Sequence, residues 1–193
     1  MSEKDFRNVD LSEIIEKLQI GMSFTTTFDG KSIEALCLDI TDEGKIVMLF
    51  PEIKELFDIG GHNSWKDSPL RAKLNSDDFF CKFENDFINH IVVKEVHTCD
   101  YITNDRFWLL SHEEVGSNKN YFRENHLCKK LKYFDESDKS RCFDEMFWSA
   151  FGWWLRSATS DSSYNVGYVC GGGFVSYNSA YNNIAVLPVC LIR

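Results

Sequence analysis

Phe147-Trp148-Ser149-Ala150-Phe151-Gly152-Trp153-Trp154-Leu155-Arg156-Ser157 opens the stretch that decides the fold, and Ile184-Ala185-Val186-Leu187-Pro188-Val189-Cys190-Leu191-Ile192 closes it. The first run is aromatic. The second is a continuous apolar run of the kind that fills a buried strand. Between them, residues 157–184 are mostly Ser, Tyr, Asn and Gly, and Asp161 is their one charged residue. Tyr supplies large, stiff, amphipathic contact area, while Ser, Asn and Gly supply adaptable hydrogen bonding, the mixture found in antibody paratopes. An apolar frame around such a segment points to a surface built for contact rather than for chemistry.

The rest of the chain agrees with that division. The 193 residues carry 21 basic and 30 acidic side chains, a formal charge of −9. Only Arg156, Asp161 and Arg193 fall after residue 150, so the acidic excess belongs to the body and the closing segment is nearly neutral. An acidic body argues against nucleic acid and anionic membranes, since phosphate binding needs clustered Lys and Arg. No run approaches the length of a membrane span. The N-terminus is polar and shows no signal core. The expected location is therefore cytoplasmic synthesis, followed by virion association or export by a route that needs no signal peptide. Seven cysteines, at 37, 81, 99, 128, 142, 170 and 190, are odd in number and include no Cys-x-x-Cys pair. They read as reduced thiols, mostly small core residues.

Length and periodicity predict one α+β domain spanning residues 1–193. Residues 1–21 read as an N-terminal helix, with Asp10 and Glu13 as a capping box and Leu11, Ile14, Ile15 and Leu18 on one face. Strands are expected over 23–28, 32–40, 46–50, 91–96, 107–111 and 184–192, with Asp29-Gly30 as a turn. Ser68-Pro69 reads as a helix start. A further helix is expected over 77–87, and residues 116–145 read as a long irregular insertion with a helix near 124–132. Gly171-Gly172-Gly173 reads as a tight turn requiring positive φ. A phosphate cradle would need a following helix and a Lys-Ser/Thr, which are absent.

Several motifs in order resemble a domain family common in gut bacteria and their phages. Asn63-Ser64-Trp65-Lys66-Asp67-Ser68-Pro69-Leu70-Arg71-Ala72-Lys73-Leu74-Asn75 resembles its W-x-x-S-x-L-R-x-x-L-N segment. Phe107-Trp108-Leu109-Leu110-Ser111-His112-Glu113-Glu114 is similar to its F-L-L-S-x-E-E strand, and Trp153-Trp154-Leu155-Arg156-Ser157 to its W-W-L-R-S element. Ala185-Val186-Leu187-Pro188-Val189 is similar to its closing G-V-R-P-A-L strand, with Leu187 where Arg is usual. That family is similar to the C-type lectin-like domains of formylglycine-generating enzymes and of the variable proteins of diversity-generating retroelements. In the latter, a reverse transcriptase copies a template with errors at adenines. Asn codons then become Asn, Ser, Tyr, Asp, Gly, Ile, Cys, Phe and others. The resemblance implies a C-type lectin-like fold with small antiparallel sheets, and a ligand-binding protein with a hypervariable region at 157–184. Its target would be a protein or surface glycan, and a homo-oligomer is compatible with the family.

The contact residues on this reading are Ser163, Tyr164, Tyr168, Cys170, Phe174, Ser176, Tyr177, Ser179, Tyr181, Asn182, Asn183 and Ile184. Trp153, Trp154, Leu155, Arg156 and Pro188 form the scaffold, which must carry the stability while the contact side chains change. Each buried aromatic contributes on the order of 2–3 kcal/mol from area alone. Arg156, between apolar neighbours, is expected to make a buried ion pair or carbonyl contacts. The plainer reading of the same segment is a Ser/Asn-rich loop around edge strands. Enzymatic readings are weaker, and no catalytic residue, cofactor or metal is expected. Five histidines, at 62, 90, 97, 112 and 126, show no zinc spacing. The acidic pairs Asp77-Asp78 and Glu113-Glu114 read as solvated faces. A formylglycine-type oxidase would use Cys170 and Cys190, but Cys190 reads as core. A fixed, metal-independent carbohydrate-binding module is a further alternative; the calcium-ligand triplets of animal lectins are missing.

Overall fold

A computed structural model describes residues 11–53, 55–98, 101–123, 127–134, 141–142 and 152–193. The chain is mostly β, with a few short helices, an α+β arrangement. The first sheet begins with a hairpin, β1 (Ser23–Phe28) and β2 (Lys31–Ile40), closed by Asp29 and Gly30 at φ 51° and 72°. Two consecutive positive φ values are the mark of the turn type whose twist matches paired strands. Alternation along β1 buries Phe24, Thr26 and Phe28. β3 (Ile46–Leu49) follows and is buried along its whole length, because it lies inside the sheet. The last strand of the chain, β13 (Val189–Ile192), pairs antiparallel with β3. On its other side β13 meets β5 (Ile91–Val92) and β8 (Phe107–Trp108).

The second sheet runs β11-β10-β9-β12-β4. Its members are β4 (Glu55–Phe57), β9 (Trp153–Ala158), β10 (Asn165–Val169), β11 (Val175–Ser179) and β12 (Ile184–Val186). β12 lies parallel to β9 at Ala185 and Trp153. The expected single strand over 184–192 is thus two strands in different sheets. Leu187-Pro188 joins them, since Pro lacks the N–H that would continue one ladder. Pro188 instead offers its carbonyl to Phe50 N at 3.2 Å. A third sheet pairs β6 (Lys94–His97) with β7 (Ile102–Asp105). The strand expected over 91–96 is therefore also two, and the break falls at exposed Val93.

Four short helices complete the described residues: α1 (Leu11–Ile15), α2 (Pro69–Leu74), α3 (Asp77–Phe80) and α4 (Asn85–Ile88). The helix expected over 1–21 is reduced to α1 and tightened turns to Leu18; residues 1–10, with the Asp10 cap, lie outside the described residues. Ser68 caps α2 through its hydroxyl, which accepts from Arg71 N at 3.0 Å. The helix expected over 77–87 is split, because residues 82–84 pair with the edge of β1. Asp29 N donates to Lys82 O at 2.7 Å, and Glu84 Oε1 accepts from Thr26 Oγ1 and Thr27 N. The strand expected over 107–111 stops at Trp108. No helix forms over residues 127–132; residues 124–126 lie outside the described residues.

One buried cluster joins both sheets. Its phenylalanine centre puts Phe83 between Phe107, stacked at 5.1 Å, and Phe28, edge-on at 4.8 Å. Such pairs add about 0.5–1.5 kcal/mol each beyond area burial. No described helix is long and apolar enough to cross a membrane.

Candidate functional site

The Trp153-Trp154-Leu155-Arg156 run becomes β9, inside the second sheet, with all four side chains buried. Trp153 Nε1 donates to Arg141 O at 3.2 Å and Trp154 Nε1 to Phe57 O at 2.7 Å, so both indoles are satisfied as buried polar groups must be. Arg156 is 4% exposed. Its Nη1 donates to Glu114 Oε2 and to Leu109 O, both at 2.6 Å, and Nη2 to His97 O at 3.4 Å and Cys128 Sγ at 3.3 Å. The expected buried ion pair is present. Its partner corrects another expectation: Glu114 is buried rather than on a solvated face. Burial would lower the Arg156 pKa, but Glu114 beside it carries it above its ordinary value.

Except for Ile184, which lies in β12, the expected contact residues occupy β10, β11 and their flanking turns. Four large rings stand out in solvent: Tyr164 at 55%, Phe174 at 61%, Tyr177 at 42% and Tyr181 at 64% exposure. Tyr164 and Tyr181 stack at 6.3 Å, with ring planes 26° apart. Tyr181 lies against Gly61, where a Cβ would come within 2.6 Å of the ring. Tyr177 meets Tyr121 edge-on at 5.2 Å. Phe174 sits at the β10–β11 turn, closed by Gly173 N donating to Cys170 O at 2.8 Å. Of the three glycines there, Gly173 alone takes positive φ. Ser163, Asn182 and Asn183 are exposed, and Tyr168, Cys170, Ser176 and Ser179 are half-buried. The register sets Tyr168 opposite Ser176 and Gly167 opposite Tyr177, so the two pairs point to opposite faces of the hairpin. Ile184 is buried in β12, opposite Phe57, and leaves the contact set; its neighbours in the sheet, not solvent, surround it.

Main-chain bonds hold these loops. Asn63 N donates to Ser163 O at 2.9 Å, Ala180 N to Tyr164 O at 2.8 Å and Ile59 N to Ala180 O at 3.0 Å. The Asn63 side chain adds a bond to Ser162 O at 2.6 Å. None of these needs the side chain of a contact residue. A substitution at Tyr164 or Tyr181 is therefore expected to leave these main-chain bonds in place. Sequence reasoning missed Asn63, Gly61 and Tyr121 as supports. Asn63 was visible only as the first residue of a motif, and Tyr121 lay in a stretch without periodicity. Tyr121 donates to Val175 O at 2.9 Å on the sheet edge.

The six described cysteines are free thiols. Burial pushes the Cys190 thiol well above its ordinary range, and its side chain is fully enclosed. Among the described residues, no group of three His, Cys, Asp or Glu is placed to hold a metal ion.

Residues 41–193 match the family described as Domain of unknown function (DUF6273), and the chain belongs to that family. No curated protein and no solved structure is significantly similar to the chain.

Proposed function

We propose that this chain is a ligand-binding protein: a C-type lectin-like scaffold that displays a diversified Tyr/Ser/Asn-rich face toward a protein or surface glycan. The observation that carries the reading is the exposure of four rings, Tyr164, Phe174, Tyr177 and Tyr181, on β11 and the turns beside the β10–β11 hairpin, held by main-chain hydrogen bonds. Large exposed aromatic side chains are uncommon on a surface without a partner, and Tyr is a preferred energetic anchor of interfaces. The near absence of charge over 157–184 favours a neutral, adaptable contact over charge-steered binding. Among the thiols a formylglycine-type oxidase would use, Cys190 is enclosed in β13 between its neighbouring strands, which favours the binding reading over the oxidase one. The protein would be made in the cytoplasm and act on a virion or outside the cell.

The test is binding of the purified chain to glycan arrays and to arrayed bacterial surface proteins, compared with Tyr164→Ala/Tyr177→Ala/Tyr181→Ala. The triple variant is expected to fold and to lose the signals that the parent gives. Equal binding by both, or no binding by the parent to any target, overturns the assignment.

A further inference from the structure

A cleft of about 190 Å³ opens beside the scaffold, and none of the four exposed rings lines it. Its walls include Asn63 and Trp65, Tyr101 at the start of β7, Glu113, Arg123, and Arg156 of β9. Hydrogen bonds and an ion pair hold the Trp65 wall. Trp65 Nε1 donates to buried Asp105 at 3.0 Å, and Asp105 is itself held by Arg71 at 2.7 Å. Tyr101 remains 44% exposed, with the Lys66 ammonium 4.7 Å from its ring centroid. Arg156 lines the cleft, and its buried Nε makes no hydrogen bond although Nη1 and Nη2 do. A buried donor left unpaired is unfavourable, and an acceptor entering the cleft would relieve it.

Charge narrows the ligand. The Arg156 guanidinium is already neutralised by Glu114 at 2.6 Å. Burial raises the Glu113 carboxyl, but the bond and charge of His112 at 3.0 Å hold it below the usual range, so the cleft carries a carboxylate as well as Arg123. An anion entering would face Glu113, and a cation would face Arg123. A neutral ligand with adjacent hydroxyls can donate to the carboxylate and accept from a guanidinium together. The volume is below the roughly 300 Å³ at which drug-sized pockets begin, which limits the occupant to one ring. Exposed Tyr101 suits the apolar face of such a ring.

We propose that this cleft binds a single uncharged sugar residue, without metal, as a site separate from the aromatic face. The experiment is a heteronuclear NMR titration of the full chain with methyl glycosides of glucose, galactose, mannose and N-acetylglucosamine, with sodium acetate as the anionic comparator. The Trp65 indole N–H and Arg156 Nε–H resonances are expected to shift saturably with at least one glycoside, with or without chelator. Glu113→Gln and Tyr101→Ala, both at the rim and expected to fold, should weaken that binding roughly tenfold. Tyr164→Ala/Tyr177→Ala/Tyr181→Ala should bind the glycoside as the parent does, so loss of the aromatic face and loss of the cleft are read separately. Glycosides that move neither resonance, acetate that moves them more strongly, or rim variants that bind like the parent would overturn the proposal.

Discussion

Replacing Glu114 is the sharpest test of how the scaffold is held. Glu114 Oε2 accepts from Arg156 Nη1 at 2.6 Å and from Ser111 N at 2.9 Å, and both charged side chains are buried. Glu114→Ala strands the guanidinium without its counter-charge and leaves the Ser111 N–H unpaired. Removing one partner of a buried pair costs about 3–5 kcal/mol, because the remaining charge is not resolvated. For a chain of this length each kcal/mol moves the unfolding midpoint by about 2–4 °C, so a fall of roughly 6–20 °C is expected. Total stability is of the order of 5–15 kcal/mol, so Glu114→Gln is the companion variant. It keeps the shape and an acceptor, loses the charge, and should lose roughly 1.5–3 kcal/mol. Urea denaturation and scanning calorimetry give both values. Glu114→Leu with Arg156→Met removes both charges and should be less destabilised than Glu114→Ala alone. A loss below about 1 kcal/mol for Glu114→Gln, as exposed pairs give, or strictly additive effects in the double variant, would refute the reasoning.

Four further outcomes follow from the same geometry. Gly152→Ala should lose more than about 2 kcal/mol in urea denaturation, since φ is +65° and a Cβ would collide with the Val169 carbonyl. The triple Tyr→Ala variant at 164, 177 and 181 should lose less than about 2 kcal/mol, because its rings are exposed and the stacked pair is a small term; a larger loss in the same titration would make those residues structural. Burial, with the Asp39 charge adding to it, pushes the Cys37 thiol from 9.0 up to about 11. Its stabilising contribution is complete below pH 9 and is lost as pH rises toward 11, because the unfolded thiol releases its proton first; melting curves across that range should fall, and Cys37→Ala should make the fall shallower, with the buried Cys190 thiol keeping part of it. Thiol reagents at neutral pH should label exposed Cys81 in the native protein and reach Cys37 and Cys190 only on unfolding, as mass spectrometry of modified peptides will read.

The elements legible in the sequence were those governed by local rules. The hairpin at residues 23–40 followed from alternation and Asp29-Gly30, and α2 from the Ser68 cap and Pro69. Arg156 was legible because a cation following Trp153-Trp154-Leu155 in a buried run demands a partner, although Glu114 as that partner was not: its neighbour Glu113 made the pair look like a solvated face. Errors fell where tertiary pairing overrode periodicity. Residues 77–87 have helical spacing, yet Phe83 and Glu84 do more by closing the edge of β1 than by continuing a helix. Residues 184–192 are uniformly apolar, and no period reveals that Pro188 sends the two halves into different sheets. Among the expected contact residues, Ile184 is buried, because composition does not reveal which side of a strand is covered. The cleft was not legible, because its walls come from segments spread between Asn63 and Ala158.

The proposed function requires the contact face to vary while the scaffold stays. The measurement that tests it most directly is sequencing the DNA around the gene. The account predicts an imperfect repeat of the codons for residues 157–193 beside a reverse transcriptase gene. Its differences should be confined to template adenines and fall at Ser163, Tyr164, Tyr168, Phe174, Tyr177 and Tyr181, but not at Trp153, Trp154, Arg156 or Pro188. Absence of such a repeat, or differences spread equally over scaffold and contact codons, would contradict it.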